Sequence, residues 1–528
     1  MYKALHIWRL ALLSVLFLLG GTVQASHIWG GEITYRPLGN NQYLVVATIH
    51  QDCGSTMFYP TLTLHYQVAG CGGPSSSAAM PQVGSTQPGS PYCPTASGGS
   101  SPCGAGLPTN YYSTTYQTTV ALPPGHWVLS ITESARAETS NTLGQTLIYL
   151  ESVLDNTSGI ANTAAVSTLA PMQLVSWKQL TRFSALAFDA DGDSLVYSLA
   201  APLQGCNNPL TYKPVGTSPF IDLSSQNNGN PCVGVLPANG MYSPTFPIAS
   251  YTFTGTCPVV NAVPAFGFSA QMGEMVFTPY LFALGLMPNA NRYIIAVKVD
   301  EYRRQTTGAY TFVGSTQREI MMIVVDTGNH NPTLNTLSVN GTTQPLTSTI
   351  ATTAGQPLSL QLTSADADAG QLVELTSNAS QLLPGASFAV TGNGTATLTW
   401  MPPVGLRPGL YYCTIISTDN ACPIKGIEHR TLTFRVSASA LATQAAKTVT
   451  TLAAVPTPFT GEVSFQLARP GVQTVVVFDQ LGRWVTELRS QPSGKVVWQP
   501  AATVPAGLYL ARTPDGRQVA RLLRTGNE

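Results

Sequence analysis

Asp189-Ala190-Asp191-Gly192-Asp193-Ser194-Leu195-Val196-Tyr197 opens a pattern that recurs later in the chain. It is followed by Gly273-Glu274-Met275-Val276-Phe277-Thr278-Pro279 and by Tyr293 to Asp300. A second series has Asp366-Ala367-Asp368-Ala369-Gly370-Gln371-Leu372, then Gly394 to Pro402 (GTATLTWMP), then Tyr412 to Asp419. Tyr to Asp is seven residues in both series. The first carries a long insertion, about 200–270, with Cys206, Cys232 and Cys257. Shared order with unequal loops is the expectation for a duplicated β-sandwich module.

Outward from this repeat the chain keeps the same character. Tyr43–Ile49 and Glu319–Val325 read as period-2 runs between short turns, and no long stretch has helical periodicity. Of 528 residues, 44% are hydrophobic and only 9% charged, against about 25% charged in ordinary globular proteins. Lys+Arg and Asp+Glu are 25 each, so the net charge is zero, which argues against nucleic-acid binding. Composition and the spacing of the short strands predict an extracellular all-β protein of tandem β-sandwich domains with a small C-terminal β-sandwich. The expected divisions are 26–165, 166–328 with the cysteine-rich insertion, 333–438, a Thr/Ala-rich linker at 439–452, and 453–528.

The N-terminus has Lys3 and Arg9 before an apolar run, Leu10–Leu19, then Val23-Gln24-Ala25. That is the pattern of a signal peptide over 1–25, with Ser26 as the expected mature start. No later stretch is apolar and long enough for a membrane helix. Nine cysteines in an exported chain favour disulfides and leave at least one thiol over. Spacing suggests Cys413–Cys422 first, then Cys93–Cys103, with Cys206–Cys232 and Cys53–Cys71 as weaker pairings.

The repeat modules resemble cadherin-like and Ig-like domains of bacterial surface proteins. Val325-Asp326-Thr327-Gly328-Asn329-His330-Asn331-Pro332 resembles a worn cadherin inter-repeat linker. Ser26 to Tyr35, with Asp52-Cys53-Gly54, resembles the start of large Bacteroidota surface proteins that carry PKD or gliding-motility-associated domains. Val455 to Arg524 resembles the type A C-terminal sorting domain of the type IX secretion system. The shared features are Pro456-x-Pro458-Phe459, Phe478-Asp479-x-x-Gly482-Arg483, Trp498, Pro505-Ala506-Gly507-Leu508-Tyr509 and a closing basic-apolar strand. Thr457 stands where that family usually has Asn. The resemblance implies delivery across an outer membrane by the type IX machinery.

Asp189, Asp191 and Asp193 crowd three carboxylates into five residues, and oxygen-only ligands in a loop suit Ca²⁺. Lys178 and Arg182 precede the cluster, and no base follows until Lys213, so a cation is the expected counter-charge. Asp366 and Asp368 form a thinner version. The cadherin resemblance implies that they meet Asp326, Asn329 and Asn331 across the joint. No HExxH, G-x-S-x-G or P-loop occurs. Trp29, Trp127 and Tyr111-Tyr112 are candidate sugar-stacking aromatics, although such residues more often fill sandwich cores. The expected function is a non-enzymatic surface or secreted protein in adhesion, matrix contact or gliding. Its ligand would be a glycan or a protein. The alternatives are a carbohydrate-binding protein, or a hydrolase with a site assembled from distant residues.

Overall fold

The computed structural model describes residues 27–53, 59–93, 95–96, 103, 109–144, 147–167, 170–216, 218–284, 289–438 and 450–526. The expected signal peptide lies outside the described residues, as does most of the linker. The chain is all-β. Among the described residues, α-helix is confined to the single turn Ala379–Leu382. Two compact units divide it, 1–437 and 438–528.

The first sheet of the larger unit starts with the hairpin Ile28–Gly39 and Gln42–Asp52. Its turn residues Asn40 and Asn41 both have positive φ, 50° and 59°. That is what a two-residue hairpin loop matching the strand twist requires, and Asn tolerates it. Strands Tyr111–Ala121 and Gln87–Gly89 complete this sheet. Alternation then places Ile33, Tyr35, Val45, Ala47 and Ile49 in one core, facing Leu62, Leu64, Leu129, Ile131 and Leu150.

The opposing sheet runs Ser194–Ala200, Arg292–Arg304, Tyr310–Val325, Ile148–Asp155, His126–Glu133, Thr61–Val68, Ser75–Pro81. It therefore takes strands from both sides of the boundary expected at 165/166. The cause is Tyr310–Val325, 16 residues long and buried continuously from Val313 to Val325. It pairs with Arg292–Arg304 along nearly its whole length, with Ile148–Asp155 at Gly314–Thr316, and in parallel with Met172–Ser176 at Met321–Val325. At Gly314 a Cβ would collide with the Tyr35 hydroxyl, so only glycine fits where the two sheets meet.

Residues 333–438 form a two-sheet sandwich. One sheet is Thr342–Gln344, Thr333–Val339, Leu358–Ala365, Thr395–Trp400, Ser387–Gly392; the other is Thr349–Thr353, Ile427–Ser437, Gly409–Asp419, Val373–Ser377. Trp400 fills the core edge-on to Phe434, centroids 5.2 Å apart, and its Nε1 donates to the Pro384 carbonyl at 3.0 Å.

The repeat read from sequence is a repeat of pairing. Thr181–Ser184 pairs with Glu274–Phe277, as Leu358–Ala365 pairs with Thr395–Trp400. Ser194–Ala200 pairs with Arg292–Arg304, as Val373–Ser377 pairs with Gly409–Asp419. Each copy closes on a parallel pair, Met172–Ser176 with Met321–Val325 and Thr349–Thr353 with Thr433–Ser437. The insertion folds into its own small sheet, Phe220–Asp222, Val233–Val235, Val259–Pro264, Tyr251–Thr256.

The smaller unit is a β-sandwich. One sheet is Thr450–Leu452, Gln518–Arg524, Gly507–Arg512, Thr474–Asp479, Trp484–Arg489; the other is Ala454–Val455, Val463–Gln466, Lys495–Trp498. Trp498 centres its core, between Phe459 at 5.7 Å and Tyr509 at 5.2 Å.

The disulfides are Cys53–Cys103, Cys71–Cys206, Cys93–Cys422 and Cys232–Cys257. None of the four pairings expected from spacing is present. Cys413 is free and buried. It and Ile415 point into the core from Gly409–Asp419, and that strand runs on for six residues past Cys413 before the loop holding Cys422 begins. At about 3.4 Å per residue the two sulfurs are held far apart. Peptide mapping without reduction should return the four bridges above. Cys413 should resist alkylation until denaturant is added; its labelling in the native protein would contradict this core. Trp400→Ala should cost about 3–5 kcal/mol in chemical unfolding.

Candidate functional site

The Asp189–Asp193 segment turns the chain from Ala187–Phe188 into Ser194–Ala200. Asp189 Oδ1 accepts from the backbone N–H of Asp191 (3.0 Å) and of Asp193 (2.8 Å). Gly192, at φ +74°, lets the chain reverse. The antiparallel register Ser194↔Tyr302 sets this turn beside Glu301 and Arg303. Arg303 donates to both carboxylate oxygens of Asp193, and its Nη2 also reaches Asp191 Oδ2 at 3.0 Å and Asn162 Oδ1 at 3.3 Å. The Thr163 N–H donates to Asp191 Oδ2 at 2.7 Å.

Glu301 is fully buried. Its Oε1 accepts from the Ala165 N–H at 3.0 Å and its Oε2 from Asn162 Nδ2 at 2.7 Å. Asn162 also donates to the Tyr35 hydroxyl, which donates to the Val153 carbonyl. Carboxylate oxygens of Asp189, Asp193 and Glu301 come within 4.8 Å of one another. Burial pushes Glu301 up to about 8, against its two hydrogen bonds and with the Asp189 and Asp193 charges adding. Burial likewise pushes Asp189 up to about 6, with the Asp193 and Asp191 charges adding. Asp189 Oδ2 is buried and takes no hydrogen bond.

Sequence reading named the three aspartates and missed Glu301 and Arg303. Arg303, arriving from a strand distant in sequence, supplies a positive counter-charge to Asp193 and Asp191 that nearness in sequence did not reveal. The available signal was the Tyr-to-Asp strand itself. Once it pairs beside the acidic turn, the residues following Asp300 lie next to the carboxylates.

The second group gathers at the joint. His330 donates its N–H to Asp368 Oδ2, and its Nδ1 lies 2.8 Å from Asp368 Oδ1. Asp366 Oδ1 accepts from the Asp368 N–H at 2.7 Å, while its Oδ2 is buried without a partner. Asn329 donates to Asp419 Oδ2 at 2.8 Å and accepts from Gln371 at 2.7 Å. Asn331 accepts from Ser176 Oγ at 3.2 Å, and its N–H donates to Gln179. The joint thus links Asn329 to Asp419, which spacing had marked only as a strand end, and through Gln371 to Asp368, whereas Asn331 bonds Ser176, Gln179 and Ile427. Asp326 is exposed and makes no hydrogen bond to them among the described residues. Burial raises the Asp366 carboxyl, and the Asp419 and Asp368 charges add to this.

Around this joint the two modules also touch through buried groups. Thr414 Oγ1 bonds Ser184 Oγ at 2.9 Å, the Phe183 ring sits 5.1 Å from His429, and Cys93–Cys422 clamps the loop after Asp419 to the N-terminal part of the chain. Of the candidate sugar-stacking aromatics, Trp29 and Trp127 are buried in cores, and Tyr111 and Tyr112 are half-buried on a strand.

The pairing pattern defines the class: an all-β chain of tandem Ig-like/cadherin-like sandwiches with a small C-terminal sandwich. No protein-family model matches the chain, and no curated protein does. Among solved structures it is similar to extracellular cadherin domains 3–6 of protocadherin gamma B2, at 12% identity over 68% of this chain and 73% of that one, TM-score 0.18. It is similar to immunoglobulin domains 1–4 of Sidekick-1, at 10% identity over 90% and 94%, TM-score 0.15. A nucleoside hydrolase-related hypothetical protein from Saccharophagus degradans matches at 18% identity over 21% of this chain and 26% of that one, TM-score 0.17. This chain therefore spans about a quarter of that protein's length.

The buried carboxyls set a pH dependence. A carboxyl whose folded pKa lies above its unfolded value near 4.3 stabilises the fold below that value and loses the contribution as pH rises through the folded pKa. With chelator present, stability should fall between about pH 4.5 and 8, at up to ~1.4 kcal/mol per pH unit for Glu301. Glu301→Gln should flatten the slope in urea unfolding at pH 5, 6.5 and 8. An unchanged slope would show that Glu301 is ionised throughout.

Proposed function

We propose that this chain is an exported, non-enzymatic surface protein that acts in adhesion or matrix contact, delivered by the type IX secretion system through its C-terminal sandwich. The observation that carries the reading is the disulfide set: four bridges tie an almost wholly β chain, three of them closing sequence separations of 50, 135 and 329 residues. Such a framework persists in oxidising, extracytoplasmic surroundings. No helix among the described residues is long and apolar enough to cross a membrane. The ordered motifs from Pro456 to Leu523 sit on a folded unit of their own, which suits a sorting domain.

One histidine–serine pair among the described residues is poorly set for general-base chemistry. His50 Nδ1 lies 2.8 Å from Ser113 Oγ, but burial, with the Arg318 charge adding, pushes the imidazole down to about 3. A base so weakened is poorly matched to abstracting a proton near neutral pH.

Calcium fits the acidic turn in narrowed form. Asp189, Asp193 and Glu301 offer oxygen donors only, and the bare Asp189 Oδ2 is a group a hard cation would satisfy. Arg303 competes for both oxygens of Asp193 and for Asp191 Oδ2. At the joint, Asp366, Asp368 and Asp419 do not converge in this way among the described residues, and His330 holds Asp368.

Two experiments test this. Deleting residues 453–528 should leave the protein in the periplasm of its native host; normal surface delivery of the truncated chain would sink the sorting reading. Adding 10 mM Ca²⁺ to the full chain should raise its stability by roughly 2.7 kcal/mol for a Kd near 10⁻⁴ M. Protons should be released on binding near pH 7, because Glu301 must ionise. Asp189→Asn should remove both effects, and identical melts with Ca²⁺ and chelator would leave the cluster as an acidic turn held by Arg303.

A further inference from the structure

Away from the acidic turn, the far end of the same strand pair builds a site of opposite sign. The tip between Arg292–Arg304 and Tyr310–Val325 meets the loop ahead of Gly409–Asp419. Arg304, Gln305, Thr306 and Gly308 from the tip and Arg407 from the loop line one solvent-open pocket. Neither arginine has a carboxylate partner among the described residues. Two guanidinium groups facing one polar cavity repel each other until an anion enters, and each offers a planar fork matched to an oxyanion.

Both arginines ride on fixed backbone. At the tip, the Gln305 N–H donates to the Ala309 carbonyl at 2.8 Å, the Gly308 N–H donates to the Gln305 carbonyl at 2.9 Å, and Gln305 Nε2 reaches Thr311 Oγ1 at 3.2 Å. Gly308, at φ +90°, permits that turn. In the loop, the Tyr411 hydroxyl donates to the Arg407 carbonyl at 2.8 Å, and the Leu406 N–H donates to the Pro403 carbonyl at 2.8 Å. The backbone that carries both arginines is therefore held before any ligand arrives. The strand register sets Tyr310 directly opposite Arg304, so the two side chains leave the sheet on one face, and Tyr310 is 57% exposed.

We infer that this pocket binds an acidic sugar unit of an extracellular polysaccharide, with Arg304 and Arg407 on its carboxylate or sulfate, Gln305 and Thr306 toward its hydroxyls, and Tyr310 against its ring face. A ring face beside a guanidinium is sugar chemistry more than lipid-headgroup chemistry. Two cations on a chain of zero net charge are also too few for a membrane surface or a nucleic acid. The inference deepens the adhesive reading by naming a ligand class and rests on it for the extracellular setting, but not on the sorting domain or on calcium.

The test is retention of the purified full chain on immobilised polygalacturonate and on dextran sulfate, with plain dextran and phosphatidylglycerol vesicles as separate arms. Retention on either acidic polymer, absent on dextran and lost at 0.5 M NaCl, is the expected result, and the preferred polymer tells carboxylate from sulfate. Arg304→Gln and Arg407→Gln should each weaken it at least about tenfold, and Tyr310→Ala by about threefold or more. All three positions are exposed, so melting curves should not move. Retention unchanged in the Arg304→Gln/Arg407→Gln double variant, binding to vesicles alone, or no binding to either acidic polymer would overturn the inference. Failure of cells lacking the protein to show any adhesion defect, with retention intact, would instead count against the adhesive role.

Discussion

The backbone of Tyr310–Val325 has more obligations than any other stretch of the chain. Every N–H and C=O along a strand buried on both faces must find a partner, because an orphaned one costs as much as a lost hydrogen bond. The strand meets most of this by taking Arg292–Arg304 on one edge and, on the other, Ile148–Asp155 at Gly314–Thr316 and Met172–Ser176 at Met321–Val325. Three separate segments are thereby fixed in register by one. The Glu301 position follows, since it lies on the partner strand, and so do the acidic turn and the tip carrying Arg304.

Polar groups placed by that strand pair are held in one connected network. Tyr35, Asn162 and Glu301 form a chain of hydrogen bonds between two sheets, and Arg303 extends it to Asp193 and Asp191. A second buried pair, Arg136 and Glu319, sits elsewhere on Tyr310–Val325, with Arg136 Nη2 also bonded to the Leu203 carbonyl at 2.6 Å. In so weakly charged a chain, a buried ion without its partner would be costly, so these pairs favour one strand arrangement over its near neighbours.

The all-β class and the duplicated module were legible because both rest on local pattern. The D-x-D turns, the GEMVF and GTATLTW strands and the Tyr-to-Asp strands occupy equivalent places in two sets of pairings. What local pattern does not encode is which distant strands become neighbours. Arg303 could not be assigned to Asp193 before Ser194 was known to lie across from Tyr302. The cysteines failed for the same reason: closeness in sequence favoured Cys413 with Cys422, whereas the strand direction sends Cys413 inward and leaves Cys422 for Cys93. The run Ile320–Val325, apolar without alternation, was the visible sign of a strand buried on both faces and shared between segments.

The small C-terminal sandwich has its first and last strands side by side and parallel, Thr450–Leu452 with Gln518–Ala520. Tension applied to the two ends of that unit then pulls these strands in opposite directions along their common axis. All the hydrogen bonds of the pair are loaded together, in shear, rather than peeled one after another as an antiparallel terminal hairpin would be. A polypeptide built this way resists drag at its ends through geometry that exists before any ligand binds.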